Sequence, residues 1–273
     1  MRDSALAIVP ELPPQMQRTR GAARVALRQG HLRDLRQSGA AKAFLPRVHA
    51  SAPEVVFLNT AGGLTGGDRL DYRLDVTAGT AVATTQTAER AYRALDGTAG
   101  VTVRLGVKER GFLSWLPQET IIFEGASIDR TTDVEMGSDD SFLMAEILVL
   151  GRAAMGETVT RCQLSDRRRV VRGGVTDWRD PVVLNASDLT AGSAGLAGAR
   201  AIATVAFFAP GAEDALAPVR RLLDAGTVRA FASAWNGRLI VRATADDGFP
   251  LKRAVARLIE LLRGAPVPRV WQT

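Results

Sequence analysis

Apolar and charged residues alternate strictly through Leu70-Asp71-Tyr72-Arg73-Leu74-Asp75-Val76, and again through Val101-Thr102-Val103-Arg104-Leu105-Gly106-Val107-Lys108. A period of two sends successive side chains to opposite faces, so both segments predict half-buried strands. Residues 55–58 form a shorter buried run. Residues 231–235 and 238–244 flank Asn236-Gly237, a dipeptide that accepts the positive φ angles of a two-residue turn, which predicts a hairpin. The period changes in two places. Leu216, Val219, Leu222 and Leu223 share one face of a helix over 212–224. Leu251, Ala254, Val255, Leu258, Ile259 and Leu262 do the same over 250–263, with Pro250 in the first turn and Gly264 at the cap. Residues 142–150 are apolar almost throughout, and a buried strand and a core helix fit that run equally. Before residue 18 there is no apolar period and Pro10, Pro13 and Pro14 interrupt the chain, so residues 1–17 predict a flexible tail. The expectation is a mainly β protein: one β-rich domain over 18–273 with two α-helices in its C-terminal half.

Composition narrows the class. With 273 residues, 46% of them hydrophobic, the chain can fill a core without disulfides or structural metal. No apolar run approaches the ~18 residues that span a bilayer, so no membrane role is expected. The single cysteine, Cys162, excludes an internal disulfide and fits a reducing, cytoplasmic setting. With His31 and His49 it cannot close a four-ligand zinc site. Basic residues number 35 against 29 acidic, a net charge of +6, and only Lys42, Lys108 and Lys252 are lysines. Such an arginine excess serves either as ordinary solvated charge or as a surface for an acidic protein or nucleic-acid partner.

Several segments could carry chemistry. Ala61-Gly62-Gly63-Leu64-Thr65-Gly66-Gly67-Asp68 follows a strand-like run, but Asp68 and Arg69 stand where a phosphate-binding loop needs Lys and Ser or Thr. The cluster reads as a tight turn, or as backbone holding Asp68 beside a partner or an ion. Thr84-Thr85-Gln86-Thr87-Ala88-Glu89-Arg90-Ala91-Tyr92-Arg93 is polar, as a solvated strand end or a channel lining would be. Trp115-Leu116-Pro117-Gln118-Glu119-Thr120-Ile121-Ile122-Phe123-Glu124 carries two carboxylates, yet their spacing puts them on opposite faces of a strand. Asp166-Arg167-Arg168-Arg169 with Arg172 reads as a solvated turn, or as a nucleic-acid contact lacking the aromatics that stack bases. No nucleophile, base and orienting group assemble. Two rival functions stay open on residues alone: an arginine-rich nucleic-acid-binding β-domain, and a hydrolase using Asp68 and Glu119 as its carboxylate pair.

Leu58-Asn59-Thr60-Ala61-Gly62-Gly63-Leu64-Thr65-Gly66-Gly67-Asp68, Thr84-Thr85-Gln86 and Leu116-Pro117-Gln118-Glu119 resemble signature segments of the urease accessory protein D family, UreD, also called UreH. So do Gln37-Ser38-Gly39, Leu45-Pro46-Arg47, Val149-Leu150-Gly151-Arg152, Ser233-Ala234-Trp235 and Pro268-Arg269-Val270-Trp271, in the family's order from about residue 18 onward. Two positions depart from the pattern: Arg36 replaces a usual aromatic, and Arg168 stands where tryptophan is frequent. The resemblance implies a β-helix-like stack of strands with two helices, and a maturation factor rather than an enzyme. Such a factor docks the accessory protein UreF and the GTPase UreG on apo-urease and helps insert nickel through an internal polar channel. It implies no tightly bound cofactor and no stable metal site, only Ni2+ in transit, and no specific nucleic acid. A conduit must hold its ion weakly at several points, which carboxylates, hydroxyls and amides do and a His/Cys cluster does not. On that basis Asp68 and Glu119 are expected as charged points of the nickel route, with Thr84, Thr85 and Gln118 as its lining. Trp271 and Arg269 are expected to anchor UreF, unless Trp271 packs on the chain's own surface.

Overall fold

A computed structural model describes residues 17–47 and 52–272. The expected tail lies outside these apart from its last residue, and so does His49. The strands are β1 (Arg20–Arg28), β2 (His31–Gly39), β3 (Ala41–Phe44), β4 (Glu54–Asn59), β5 (Arg69–Thr77) and β6 (Thr80–Gln86). They continue as β7 (Glu89–Ala91), β8 (Ala99–Lys108), β9 (Phe112–Leu116), β10 (Thr120–Ile122), β11 (Ser127–Met136) and β12 (Ser141–Leu150). The last are β13 (Gln163–Arg172), β14 (Val175–Leu184), β15 (Ala201–Phe208), β16 (Arg229–Trp235) and β17 (Arg238–Ala245). The helices are α1 (Ala186–Thr190), α2 (Leu216–Asp224) and α3 (Gly248–Arg263).

These strands form two sheets, and the protein is mainly β. The first runs β14-β13-β11-β8-β5-β1-β2, and the path of the second runs β16-β17-β15-β12-β9-β6-β4-β3. In the first sheet β1, β5, β8, β11 and β13 pair in parallel, with antiparallel β2 and β14 at the edges. Parallel neighbours need a crossover. Here the crossover is a strand of the opposite sheet: from β5 to β6, β8 to β9 and β11 to β12 the chain steps from the first sheet to the second, then returns.

The period-two segments became β5 and β8, whose Leu70, Tyr72, Leu74, Val76, Val101, Val103, Leu105 and Val107 are buried between the sheets. Residues 142–150 became β12. Its Phe142, Met144 and Leu148 enter the core between the sheets, while Leu143, Ala145 and Ile147 enter a second core. A strand covered on both faces loses its alternation, which is why the run was ambiguous. The second core lies against α2 and α3, through Val219, Leu223, Leu251, Val255, Leu258 and Ile259.

Three details differ from the sequence expectation. There are three helices, not two: α1 is a short segment closed by an Asn185–Asp188 capping box, with no apolar stripe to reveal it. The α3 helix begins two residues before Pro250, because the Asp247 carboxylate caps it by accepting from Phe249 N at 2.7 Å. The arginine run at 166–169 is no turn but the middle of β13, with Asp166 and Arg168 facing inward and Arg167 and Arg169 outward.

Candidate functional site: an ionic cavity between the sheets

A cavity of about 80 Å3 lies between the sheets, with Asn59, Thr85, Glu89, Gln118, Arg130 and Glu146 as its main polar lining. Asn59 closes β4, Thr85 lies near the end of β6, Glu89 opens β7, and Gln118 sits in the connection from β9 to β10. Arg130 comes from β11 of the first sheet and Glu146 from β12 of the second. Alternation on β11 fixes Arg130 inward, in the same file as Ile128, Thr132 and Val134.

Buried charge needs partners, and Arg130 has them. It faces Asp166 directly across the β11–β13 ladder. Its Nε and Nη2 donate to the two Asp166 oxygens at 2.9 and 2.6 Å, Nη2 also to Glu146 Oε2 at 3.2 Å, and Nη1 to Thr120 Oγ1 at 3.1 Å. Arg168 continues the row, donating from Nε to Glu146 Oε2 at 2.5 Å, from Nη1 to Asp180 Oδ2 at 2.9 Å, and to Asp166 as well. Asp180 in turn holds Arg242, whose Nη1 donates to Thr204 Oγ1 at 2.7 Å; that arginine side chain reaches solvent. The Trp115 indole donates to Glu146 Oε1 at 3.3 Å. Burial works against charge on Arg130, yet Asp166 and Glu146 outweigh it and raise its pKa. For Asp166 burial raises the pKa, and Arg130 and Arg168 more than reverse this.

Arg130, Arg168 and Arg242 balance Glu146, Asp166 and Asp180 one for one. Glu89 is left over. Its carboxylate accepts from Asn59 Nδ2 at 3.2 Å, and no ion pair holds it among the described residues. Burial pushes its pKa up to about 7, against the pull of Asn59 and the Arg130 charge. This is the one lining carboxylate whose charge the row does not match.

The residues expected from sequence separate here. Thr85 and Gln118 line the cavity, and the Thr85 hydroxyl accepts from Gln118 N at 2.9 Å. Gln118 Oε1 accepts from Lys252 Nζ at 2.6 Å, and its buried Nε2 has no partner. Glu119, next in the chain, pairs with Lys252 at 3.0 Å. Thr84 is fully buried and donates to Leu116 O at 2.7 Å, the carbonyl that also accepts from the Trp271 indole at 2.9 Å. Asp68 stands apart from this cavity. Its carboxylate accepts from Thr19 N at 2.7 Å and Thr65 N at 2.8 Å, pinning the glycine loop to the start of β1. A Cβ on Gly66 would lie 1.9 Å from Asp96 O, so glycine is required at that close approach. Leu64 N is also engaged, with Arg90 O at 2.7 Å, and the loop is a tight turn rather than a phosphate cradle.

The tail divides in the same way. Trp271 is buried in the second core, whereas Arg269 is exposed. Trp271 packs against α3 and its own chain's second core, with its indole on Leu116 O. Replacing Trp271 with Phe shrinks a buried ring and removes one donor from Leu116 O, and is expected to cost about 1–3 kcal/mol in urea denaturation. A loss below ~0.3 kcal/mol would mean that neither the hydrogen bond nor the indole packing contributes net stability.

Sequence reasoning missed Glu89, Arg130, Glu146, Asp166, Arg168 and Asp180. One signal was available: Glu146 is the only charged residue in the apolar run 142–150, and a charge buried in such a run calls for a partner. Nothing joins Asp68 to Glu119 as a hydrolytic pair, since each is held by different groups. Among the described residues, no three His, Cys, Asp or Glu side chains gather as a metal-binding group, and no helix is long and apolar enough to cross a membrane.

Residues 19–272 match a family model described as UreD urease accessory protein. The chain is 54% identical over 269 residues to the urease accessory protein UreD of Cereibacter sphaeroides (strain ATCC 17025 / ATH 2.4.3), covering 95% of this chain and 98% of that one. It is 53% identical to its counterpart from Dinoroseobacter shibae, with 96% and 95% covered, and 51% identical to that of Paracoccus denitrificans, with 95% and 94% covered. All of these are accessory proteins of urease, a class defined by the enzyme it serves. The chain belongs to the UreD urease accessory protein family.

Proposed function

We propose that this chain is a urease maturation factor without catalytic activity of its own, working in the cytoplasm. It docks the UreF–UreG GTPase complex on apo-urease, and its polar interior conducts Ni2+ toward the urease active site. Nickel here is cargo, and no tightly bound cofactor is required. The observation that carries the reading is the uncompensated Glu89 carboxylate on a cavity whose ionic row continues through Glu146, Arg168 and Asp180 to the exposed Arg242. A divalent cation entering the cavity would find one free carboxylate and the oxygen of Thr85. It would also meet the Arg130 guanidinium and the unpartnered Gln118 Nε2, which oppose it. Attraction at one point and opposition beside it make for weak holding, as transit requires. Of the residues first proposed for this route, Thr85 and Gln118 remain lining. Glu119 stands beside them with its charge matched by Lys252, while Thr84 and Asp68 serve the structure around the route. Arg269 remains the candidate surface residue for UreF.

The test is complementation in cells lacking this gene, reading nickel per urease and the amount of UreF that co-purifies with the chain. The intact chain should restore both. Glu89→Gln should retain UreF while lowering nickel per urease severalfold. Full nickel loading by the Gln variant would remove Glu89 from the route, and normal urease in the knockout itself would overturn the maturation role.

A further inference from the structure

The outer face of the first sheet carries a line of arginines that the cavity does not use. Strand register places Arg36 opposite Arg24, Arg24 beside Arg73, and Arg73 beside Arg104. Beyond Asp133, the same level continues through Arg169 to Arg179. Six arginines and one aspartate therefore cross all seven strands at a single level, over about 29 Å at ~4.8 Å per strand. All six arginines are exposed.

Like charges directly opposite across strands destabilise a sheet, and this line contains four such arginine–arginine neighbours. A face meeting only water would mix the signs within each level. Here, Asp133 apart, the signs are sorted by level instead. Two residues further along the strands lie Asp34, Asp75 and Glu135, separated by Ala26 and Gly106. Five of the arginines reach carboxylates: Arg36 to Asp34 at 3.2 Å, Arg24 to Asp34 and Asp75 at 3.7 Å, Arg73 to Asp75 at 2.9 Å, Arg104 to Asp71 on the other side of the line, and Arg169 to Asp133 within it at 2.7 Å. Among the described residues no carboxylate pairs with Arg179. We infer that this face docks an acidic protein surface whose carboxylates run in a line, with basic residues beside them. The proposal does not depend on the nickel reading.

Two features favour a protein over a nucleic acid. A phosphate backbone laid along the arginines would run beside the level of Asp34, Asp75 and Glu135 with nothing positive to offer it. The arginine level and that acidic one also present no aromatic side chain on which a base could stack. A mixed protein face answers both levels at once. Carboxylates three or four residues apart on an α-helix repeat every ~4.5–6 Å, which matches the strand spacing.

The probe is a synthetic helical peptide with glutamates along one face and lysines on its flanks, titrated against the full chain at several salt concentrations. A DNA duplex of similar length is the competing probe. Binding of the peptide should weaken steeply with salt. It should also weaken at least tenfold, or about 1.4 kcal/mol, in the triple variant Arg24→Gln, Arg73→Gln, Arg104→Gln. The matched triple Arg221→Gln, Arg253→Gln, Arg257→Gln, on exposed helix positions, should bind as the intact chain does. Unchanged melting of the first triple would confirm its fold; should it fail to fold, Arg36→Gln and Arg179→Gln at the ends of the line replace it. Equal loss in both triples, no binding of the peptide, or tighter binding of the duplex would each overturn the proposal.

Discussion

Replacing Asp166 with Ala is expected to destabilise the protein by about 3–5 kcal/mol, read as a fall in the urea midpoint. The carboxylate is fully buried and holds Arg130 through two hydrogen bonds and Arg168 through another. Removing it leaves two buried guanidinium groups with Glu146 and an Asp180 already shared with Arg242, and the cost is the desolvation of charge that has lost its partner. The same strand pair supplies the control. Asp129 pairs with Arg167 at 2.7 Å on the exposed side of the ladder. Its replacement by Ala is expected to cost under about 1 kcal/mol, because water screens that pair. If the two variants lost equal stability, the row between the sheets would be hydrated and the ionic account wrong.

The second large effect is a pH dependence. The folded pKa of Glu89 is pushed up to about 7 from an ordinary value of 4.5, with burial as the leading cause. Between those values the native state keeps a proton that the unfolded chain has lost, so stability falls as pH rises through this window. Below it Glu89 costs nothing. Above it the buried charge costs about 3 kcal/mol, from 1.36 kcal/mol per pKa unit. Glu89→Gln is expected to remove this slope: the variant should match the intact chain near pH 4.5 and exceed it by up to ~3 kcal/mol at pH 8. Parallel stability curves for the two proteins would show that Glu89 does not titrate in this window. Together with the nickel measurement, this separates the proposed effect of the carboxylate on urease loading from its cost to the fold.

The parts of this architecture legible in the sequence are those whose two faces differ. The β5 and β8 strands have one wet and one dry face, so their alternation shows directly. The α3 stripe and the Asn236-Gly237 turn are local in the same sense. The β12 strand is dry on both faces and carries no period at all. The β13 strand failed for another reason: counted as composition, three consecutive arginines look solvated, and only the ladder reveals that Arg168 points inward. The site was less legible still. Thr85 and Gln118 were found by resemblance, but Glu89 looked like one polar residue among many. Arg130 meets Asp166 from 36 residues away and Glu146 from 16, and no local pattern encodes such meetings. Asp68 drew attention as a charge beside glycines, and its carboxylate accepts from the backbone of Thr65 and of Thr19, 49 residues away, a partnership that no local pattern shows.

The alternation of the chain between its two sheets also governs how the protein can be made. Neither sheet can be completed early, because each strand from β5 to β12 waits for a neighbour that arrives only after the chain has visited the other layer; the first sheet closes at β14 and the second only with β16 and β17. Pairings of that kind close large loops before they gain stability, which makes folding slow. Until β14 emerges, the growing first sheet presents an unpaired strand edge. The ionic row joins β11, β12, β13, β14 and β17, and therefore closes near the very end. For a ribosome-bound chain the interval before β17 emerges is the vulnerable one, when sticky edges and unmatched buried charges coexist.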